Sequence, residues 1–225
     1  MARVAMARAL VDAARRGGLR ECRRLHAQHN LTPEDARADR NCALQWAAEN
    51  GHLGMCRWLH ATFRLTPADA RGGDNYVLRA ASVCGHLAVC NWLHTTFGLT
   101  AADARADDNY ALRWSAENGH LGVCRWLHTT FGLTSADARE CDNWALCYAA
   151  ANGHLAVCKW LHATFRLTAY DARVANNHSL QWAAHSGHLG VCLWLHATFG
   201  FAAADWAPFL ATAKLPVAAW IASLS

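Results

Sequence analysis

Ala47-Ala48-Glu49-Asn50-Gly51-His52-Leu53, followed by Met55-Cys56 and Trp58-Leu59, is the stretch whose reading decides the fold, because its centre returns at a fixed interval. Gly51-His52-Leu53 recurs as Gly85-His86-Leu87, Gly119-His120-Leu121, Gly153-His154-Leu155 and Gly187-His188-Leu189, each 34 residues after the last. Gly17-Gly18-Leu19 keeps the register upstream. A period of that length marks stacked units that bury their apolar faces only against their neighbours. Each copy is followed by a second block, such as Cys56-Arg57-Trp58-Leu59-His60 or Cys124-Arg125-Trp126-Leu127-His128, and by a third that reads Leu65-Thr66-Pro67-Ala68-Asp69-Ala70-Arg71. Nearly the whole chain is one unit, repeated.

Within a unit, the pattern predicts a first helix over roughly 41–50, with Asn41, Asn75, Asn109, Asn143 and Asn177 placed as N-caps. The following glycine can take the left-handed conformation that ends a helix. A second helix covers about 52–63, where Met55, Cys56, Leu59 and Phe63 fall on one face. Gly98, Gly132 and Gly200 stop three of its copies, and Arg64 and Arg166 stand at the same position in two others. The third block opens on Thr32-Pro33-Glu34-Asp35, a hydroxyl cap, a first-turn proline and carboxylates at the positive end of the dipole. Thr66, Thr100, Thr134 and Thr168 repeat the cap, each with an aspartate three residues on. A short third helix is predicted there, with an irregular loop or hairpin tip as the alternative.

These residues resemble the ankyrin repeat, over residues 10 to about 200, and specifically the divergent ankyrin proteins expanded in some protists and large DNA viruses. The resemblance implies an all-α repeat solenoid of helix-turn-helix units, a non-enzymatic role in protein–protein interaction, and a concave groove lined by the first helix of each unit. Two features depart from the family pattern. The usual helix-opening Thr-Pro-Leu-His is replaced by Cys42-Ala43-Leu44-Gln45, Tyr76-Val77-Leu78-Arg79 or Trp144-Ala145-Leu146-Cys147, and the unit has 34 residues where 33 is common. The β-hairpin fingers of the family are therefore in question. The tetratricopeptide repeat shares the period but not the Gly-His-Leu turn.

The chain has 225 residues, which stacked repeats accommodate as a single repeat domain. The expected partition is a capping unit over 1–40, repeats over 41–74, 75–108, 109–142, 143–176 and 177–205, and a truncated closing unit over 206–225. Residues 1–10 read as the first helix of the stack, and no apolar run is long enough to span a membrane. Of ten cysteines, Cys22, Cys56, Cys90, Cys124, Cys158 and Cys192 share one repeat position. Copies one repeat apart cannot bridge, since a disulfide needs Cα atoms within about 7 Å and packed helices sit roughly 8–10 Å apart. Reduced thiols and an intracellular setting, cytoplasmic or nuclear, are expected. The formal charge of +4 is mild and Asp recurs among Arg, so a nucleic acid is not the expected partner. Arg15, Arg16, Arg20, Arg23 and Arg24 form a basic cluster that either meets an acidic partner or solvates a cap face. The chain reads as a monomer.

The repeats also compare positions with one another. On a helical wheel, Ala43, Leu44, Ala47 and Ala48 share the first helix's invariant side, which reads as core. The opposite stripe varies. It reads Cys42, Gln45, Trp46, Glu49, then Tyr76, Arg79, Ala80, Val83, then Tyr110, Arg113, Trp114, Glu117; Trp144, Cys147, Tyr148, Ala151 and His178, Gln181, Trp182, His185 complete it. Tyr, Trp and Arg most often dominate interface energetics. Candidate partner-binding residues are therefore Trp46, Tyr76, Arg79, Tyr110, Arg113, Trp114, Trp144, Tyr148, His178, Gln181 and Trp182. For Trp46, Trp114 and Trp182, filling space beneath the third block is an equal alternative. The row Trp58, Trp92, Trp126, Trp160 and Trp194 reads as packing, because a small residue four positions earlier makes room for each indole.

Cys56 with His60, and its copies Cys90/His94, Cys124/His128, Cys158/His162 and Cys192/His196, invite a zinc reading. They march along the stack instead of closing one tetrahedron, so buried cysteine is the default and no metal or other cofactor is predicted. The histidines of the Gly-His-Leu turns are expected to bond neighbouring backbone. No nucleophile elbow, phosphate-cradling loop or zinc helix is present, and no enzymatic activity is predicted. Binding a protein partner of unspecified identity is the leading reading; nucleic-acid binding through the arginines and metal binding by the Cys/His pairs are the alternatives.

Overall fold

The computed structural model describes residues 2–224, apart from the side chains of Ala2 and Asn176. It is an all-α repeat solenoid, with no strand among the described residues. The helices are α1 (Ala2–Arg15), α2 (Leu19–His29), α3 (Pro33–Glu49), α4 (Leu53–Phe63), α5 (Pro67–Val83), α6 (Leu87–Phe97), α7 (Ala101–Ala104) and α8 (Ala106–Glu117). They continue as α9 (Leu121–Phe131), α10 (Ser135–Ala151), α11 (Leu155–Phe165), α12 (Ala169–Ser186), α13 (Leu189–Phe199), α14 (Ala203–Trp206) and α15 (Leu215–Ala222). Two compact units are distinguished, residues 1–111 and 112–225, and the division falls within α8.

The third block is helical in every described copy, so the hairpin alternative falls away. In α3, α5 and α10 this block runs on into the first helix of the next repeat across a kink, and in α12 Ala175 and Asn177 take positive φ at the same place. The kink is a single left-handed turn: Asp39, Arg40 and Asn41 have φ of 50°, 60° and 65°, and Gly73 to Asn75, Asp107 to Asn109 and Cys141 to Asn143 repeat it. Asn, Asp and Gly fill most of these positions because they tolerate that region at least cost.

The expected asparagine N-caps are therefore corrected. A cap needs extended backbone and a carbonyl oxygen aimed at a helix amide. Asn41 instead sits in the left-handed turn with Nδ2 donating to Asp69 O of the next repeat at 3.4 Å. The Oδ1 atoms of Asn41, Asn75, Asn109 and Asn143 are buried and accept no hydrogen bond.

True capping belongs to the threonines. Thr32 N donates to Asp35 Oδ2 at 2.7 Å, and Thr66, Thr134 and Thr168 do the same with Asp69, Asp137 and Asp171. The same carboxylates have a second role. Arg37 Nε and Nη2 donate to Asp69 of the following repeat at 2.8 and 3.1 Å, and Arg71 to Asp103 and Arg139 to Asp171 likewise. Arg3 joins Asp35 in the same way, and Arg173 lies 3.6 Å from Asp205. The recurring Asp-Ala-Arg thus makes a forked ladder between neighbouring repeats, its carboxylates buried and its guanidiniums half-exposed.

The core follows the predicted faces. Leu44, Ala47, Ala48, Cys56 and Leu59 are fully buried, as are their copies Leu146, Ala149, Ala150, Cys158 and Leu161. The second-helix histidines contact the next repeat edge-on: His60 meets Trp92 and Phe97 at 6.1 and 5.2 Å, and His128 meets Trp160 and Phe165 at 6.2 and 5.2 Å. The tryptophan row is accordingly packing. The turn histidines bond backbone one repeat back, with His86 Nε2 2.9 Å from Glu49 O. Arg64 and Arg166 end their helices at φ of 50° and 52°, the conformation that glycine takes in the sister copies.

In the closing segment a short turn, Ala207–Phe209, stands where a first helix would follow. Trp206 is fully buried there, against Phe201 and Trp220. Lys214 occupies the place against Gly187 that a histidine takes at Gly153.

Candidate partner-binding face

The first helices turn one side into the core and leave the other half-covered, because alanines at 47, 48, 149 and 150 let neighbours approach closely while the bulky stripe stays at the rim. Every predicted site residue is half-buried except Arg113, which is buried.

In residues 1–111, the Arg15 guanidinium lies 4.4 Å from the Trp46 ring centre. Tyr76 Oη donates to Glu49 Oε2 at 3.2 Å, and burial, with the Glu49 carboxylate adding to it, raises the phenol's pKa. Arg79 pairs with Asp107 and lies 4.6 Å over the Tyr110 ring. Glu49, Tyr76, Arg79 and Tyr110 wall a recess of about 210 Å³, with Cys84 at its margin.

In residues 112–225, the stripe becomes a continuous aromatic cluster. Arg113 lies 5.2 Å over Trp144, and Trp114 approaches the same ring at 5.9 Å. Trp144 Nε1 donates to Glu117 Oε2 at 3.1 Å. Trp144 stacks on Tyr148 at 4.1 Å and 15°, His178 stacks on Trp182 at 4.7 Å and 13°, and Tyr148 meets Trp182 nearly at right angles at 4.8 Å. Trp182 borders three recesses, one shared with Gln181. The structure therefore brings Arg113, Trp114, Trp144, Tyr148, His178 and Trp182 into one cluster, and Tyr76, Arg79 and Tyr110 into another; Trp46 contacts Arg15 instead.

Sequence reasoning placed Glu49 and Glu117 on the stripe without giving them a role. Each carboxylate is held by the aromatic residue 27 positions later, in the next repeat. The signal was a Glu in one unit followed by Tyr76 or Trp144 opening the next, legible only once the stacking register was known.

The thiols at the shared repeat position are chemically quiet. Burial pushes Cys56, Cys90, Cys124, Cys158 and Cys192 up to about 12. His94, His128 and His162 each turn Nδ1 to a backbone carbonyl, at 2.8 to 2.9 Å. Among the described residues, no group of three or more His, Cys, Asp or Glu could hold a metal ion.

A family model described as ankyrin repeats (3 copies) matches residues 77–171 and 112–203. This chain belongs to the ankyrin repeat family. The ankyrin repeat protein is similar to the X-ray structure of an ankyrin repeat family protein from Legionella pneumophila, at 18% identity, covering 85% of this chain and 69% of that one with a TM-score of 0.49. No curated protein matches it. Ankyrin repeats are generally protein–protein interaction modules. No helix among the described residues is long and apolar enough to cross a membrane.

Proposed function

We propose that this ankyrin repeat protein is a non-enzymatic scaffold that holds a protein partner against the stripe carried by the first helices of its repeats. One observation carries the reading: Trp144, Tyr148, His178 and Trp182 form a half-exposed aromatic cluster on positions that vary between repeats, beside core positions that do not. Rings stacked in pairs lose little freedom on binding and offer large area, the properties of interface anchors. Trp46, Tyr76, Arg79, Tyr110, Arg113, Trp114 and Gln181 extend the binding stripe in the same reading. The partition into one repeat domain, a monomeric state and an intracellular site of action belong to it as well.

Several of the arginines that a nucleic-acid partner could use are engaged: Arg37, Arg71 and Arg139 pair with aspartates, and Arg79 pairs with Asp107. The test is affinity capture on wild-type protein and on a variant combining Trp144→Ala, Tyr148→Ala and Trp182→Ala, matched for helicity by circular dichroism. A protein retained by the wild type is then titrated against both. A loss of affinity of about tenfold or more in the variant is expected for hot-spot residues; equal affinity for both proteins defeats the assignment.

A further inference from the structure

Tyr148, Trp182 and Glu117 meet around a recess of about 350 Å³ at the C-terminal end of the first helices. Each ring is stacked on one face by the residue four positions earlier, Trp144 on Tyr148 and His178 on Trp182. Ala151, Asn152, His185 and Ser186, three or four positions after those rings, line the recess with them. Tyr148 and Trp182 stand at 77° to one another, so the two indole and phenol planes form a corner.

The third wall carries charge. Glu117 accepts from Trp144 Nε1 at 3.1 Å, which fixes the carboxylate, and no ion pair neutralises it among the described residues. Arg113 lies over Trp144 and is not among the residues that line the recess. His185 turns Nδ1 to the Thr212 carbonyl at 3.2 Å. Two aromatic planes at a right angle beside an anchored, unneutralised carboxylate attract a cation by quadrupole and by charge together.

We infer that the corner of Tyr148, Trp182 and Glu117 receives an organic cation of the alkylammonium class, presented by a side chain of the protein partner. The inference rests on the proposed scaffold function and names the chemistry its partner must offer. The other unit supplies an internal contrast: Glu49 and Tyr76 repeat the carboxylate and its donor, but Ala80 stands where Tyr148 does and Arg79 places a cation in the wall. That recess is lined by Tyr76 and Tyr110 with no indole, and it has a guanidinium in its wall where the other recess has none.

The experiment titrates the full chain with choline, and separately with 3,3-dimethylbutan-1-ol, which has the same shape without the charge. The readout is the indole 15N–1H resonance of Trp182, assigned from a Trp182→Phe variant. A saturable choline shift with a midpoint on the order of millimolar is expected, with no comparable shift from the neutral alcohol. Glu117→Gln weakens choline binding about tenfold, Tyr148→Phe keeps it because the ring remains, and Glu49→Gln leaves it unchanged. A neutral alcohol that shifts the resonance as strongly as choline, or a Glu117→Gln variant that binds choline as well as the wild type, overturns the inference. In either case the scaffold reading is decided separately, by whether the triple aromatic variant loses the captured partner.

Discussion

Gly132 and Gly153 both hold a positive φ, at 62° and 78°, for reasons that a substitution separates. A Cβ added at Gly132 meets no atom within 4 Å, so only the left-handed backbone opposes it. A Cβ at Gly153 lands 2.6 Å from His188 Nδ1 of the next repeat, so the imidazole itself must move. Gly132→Ala should cost about 1 kcal/mol, the strain of the conformation alone. Gly153→Ala should cost roughly 2–4 kcal/mol, strain plus overpacking. Urea unfolding of both variants checks the order, and equal losses would show that the histidine yields without penalty.

Asp171 joins two elements, capping α12 through Thr168 and tying α10 to it through Arg139. Its Oδ2 accepts from Thr168 N at 2.7 Å and Thr168 Oγ1 at 2.9 Å, and Arg139 Nε and Nη2 reach it at 2.6 and 3.0 Å. Burial by itself would raise the carboxyl's pKa; the guanidinium and the Thr168 donors outweigh it and lower it from 3.8 to about 2. A folded pKa below the unfolded one stabilises the protein above about pH 4, and that contribution is lost as pH falls from there through about 2. Asp69 and Asp103 are lowered by the same arrangement, so the ladder weakens in acid as a set. Asp171→Asn should cost roughly 1–3 kcal/mol at pH 7, since it removes charge-assisted bonds to a partly buried group. Its stability should also fall less steeply between pH 4 and 2 than that of the wild type, which acid titration at fixed urea measures. The left-handed turn between the third block and the next first helix is an element of the same scale, and the run of Asp, Asn and Gly was its visible trace.

At the scale of the whole molecule, the segment after α13 depends on one large buried side chain. Trp206 is fully buried between Phe201 and Trp220, at 6.2 and 4.9 Å, and so ties the segment after α13 to α15. Trp206→Ala should cost roughly 3–5 kcal/mol. Hydrogen exchange would localise the effect, with protection lost first in α13 and α15; uniform loss across the chain would refute a local role.

The sequence by itself determined the period, the two apolar faces and the stripe on which the candidate site lies, and it favoured a capped third helix over a loop or hairpin tip. Those are local quantities: helical periodicity, turn chemistry and capping act within a few residues, so they are legible wherever a unit repeats. Only the tertiary structure decided that Asp-Ala-Arg pairs across repeats, that the asparagines occupy left-handed turns, and that Glu117 belongs with Trp144, Tyr148 and Trp182. Asp171 meets Arg139 and Glu117 meets Trp144 through side chains reaching between neighbouring helices. Such pairings depend on the rise and rotation from one repeat to the next, which no local pattern encodes.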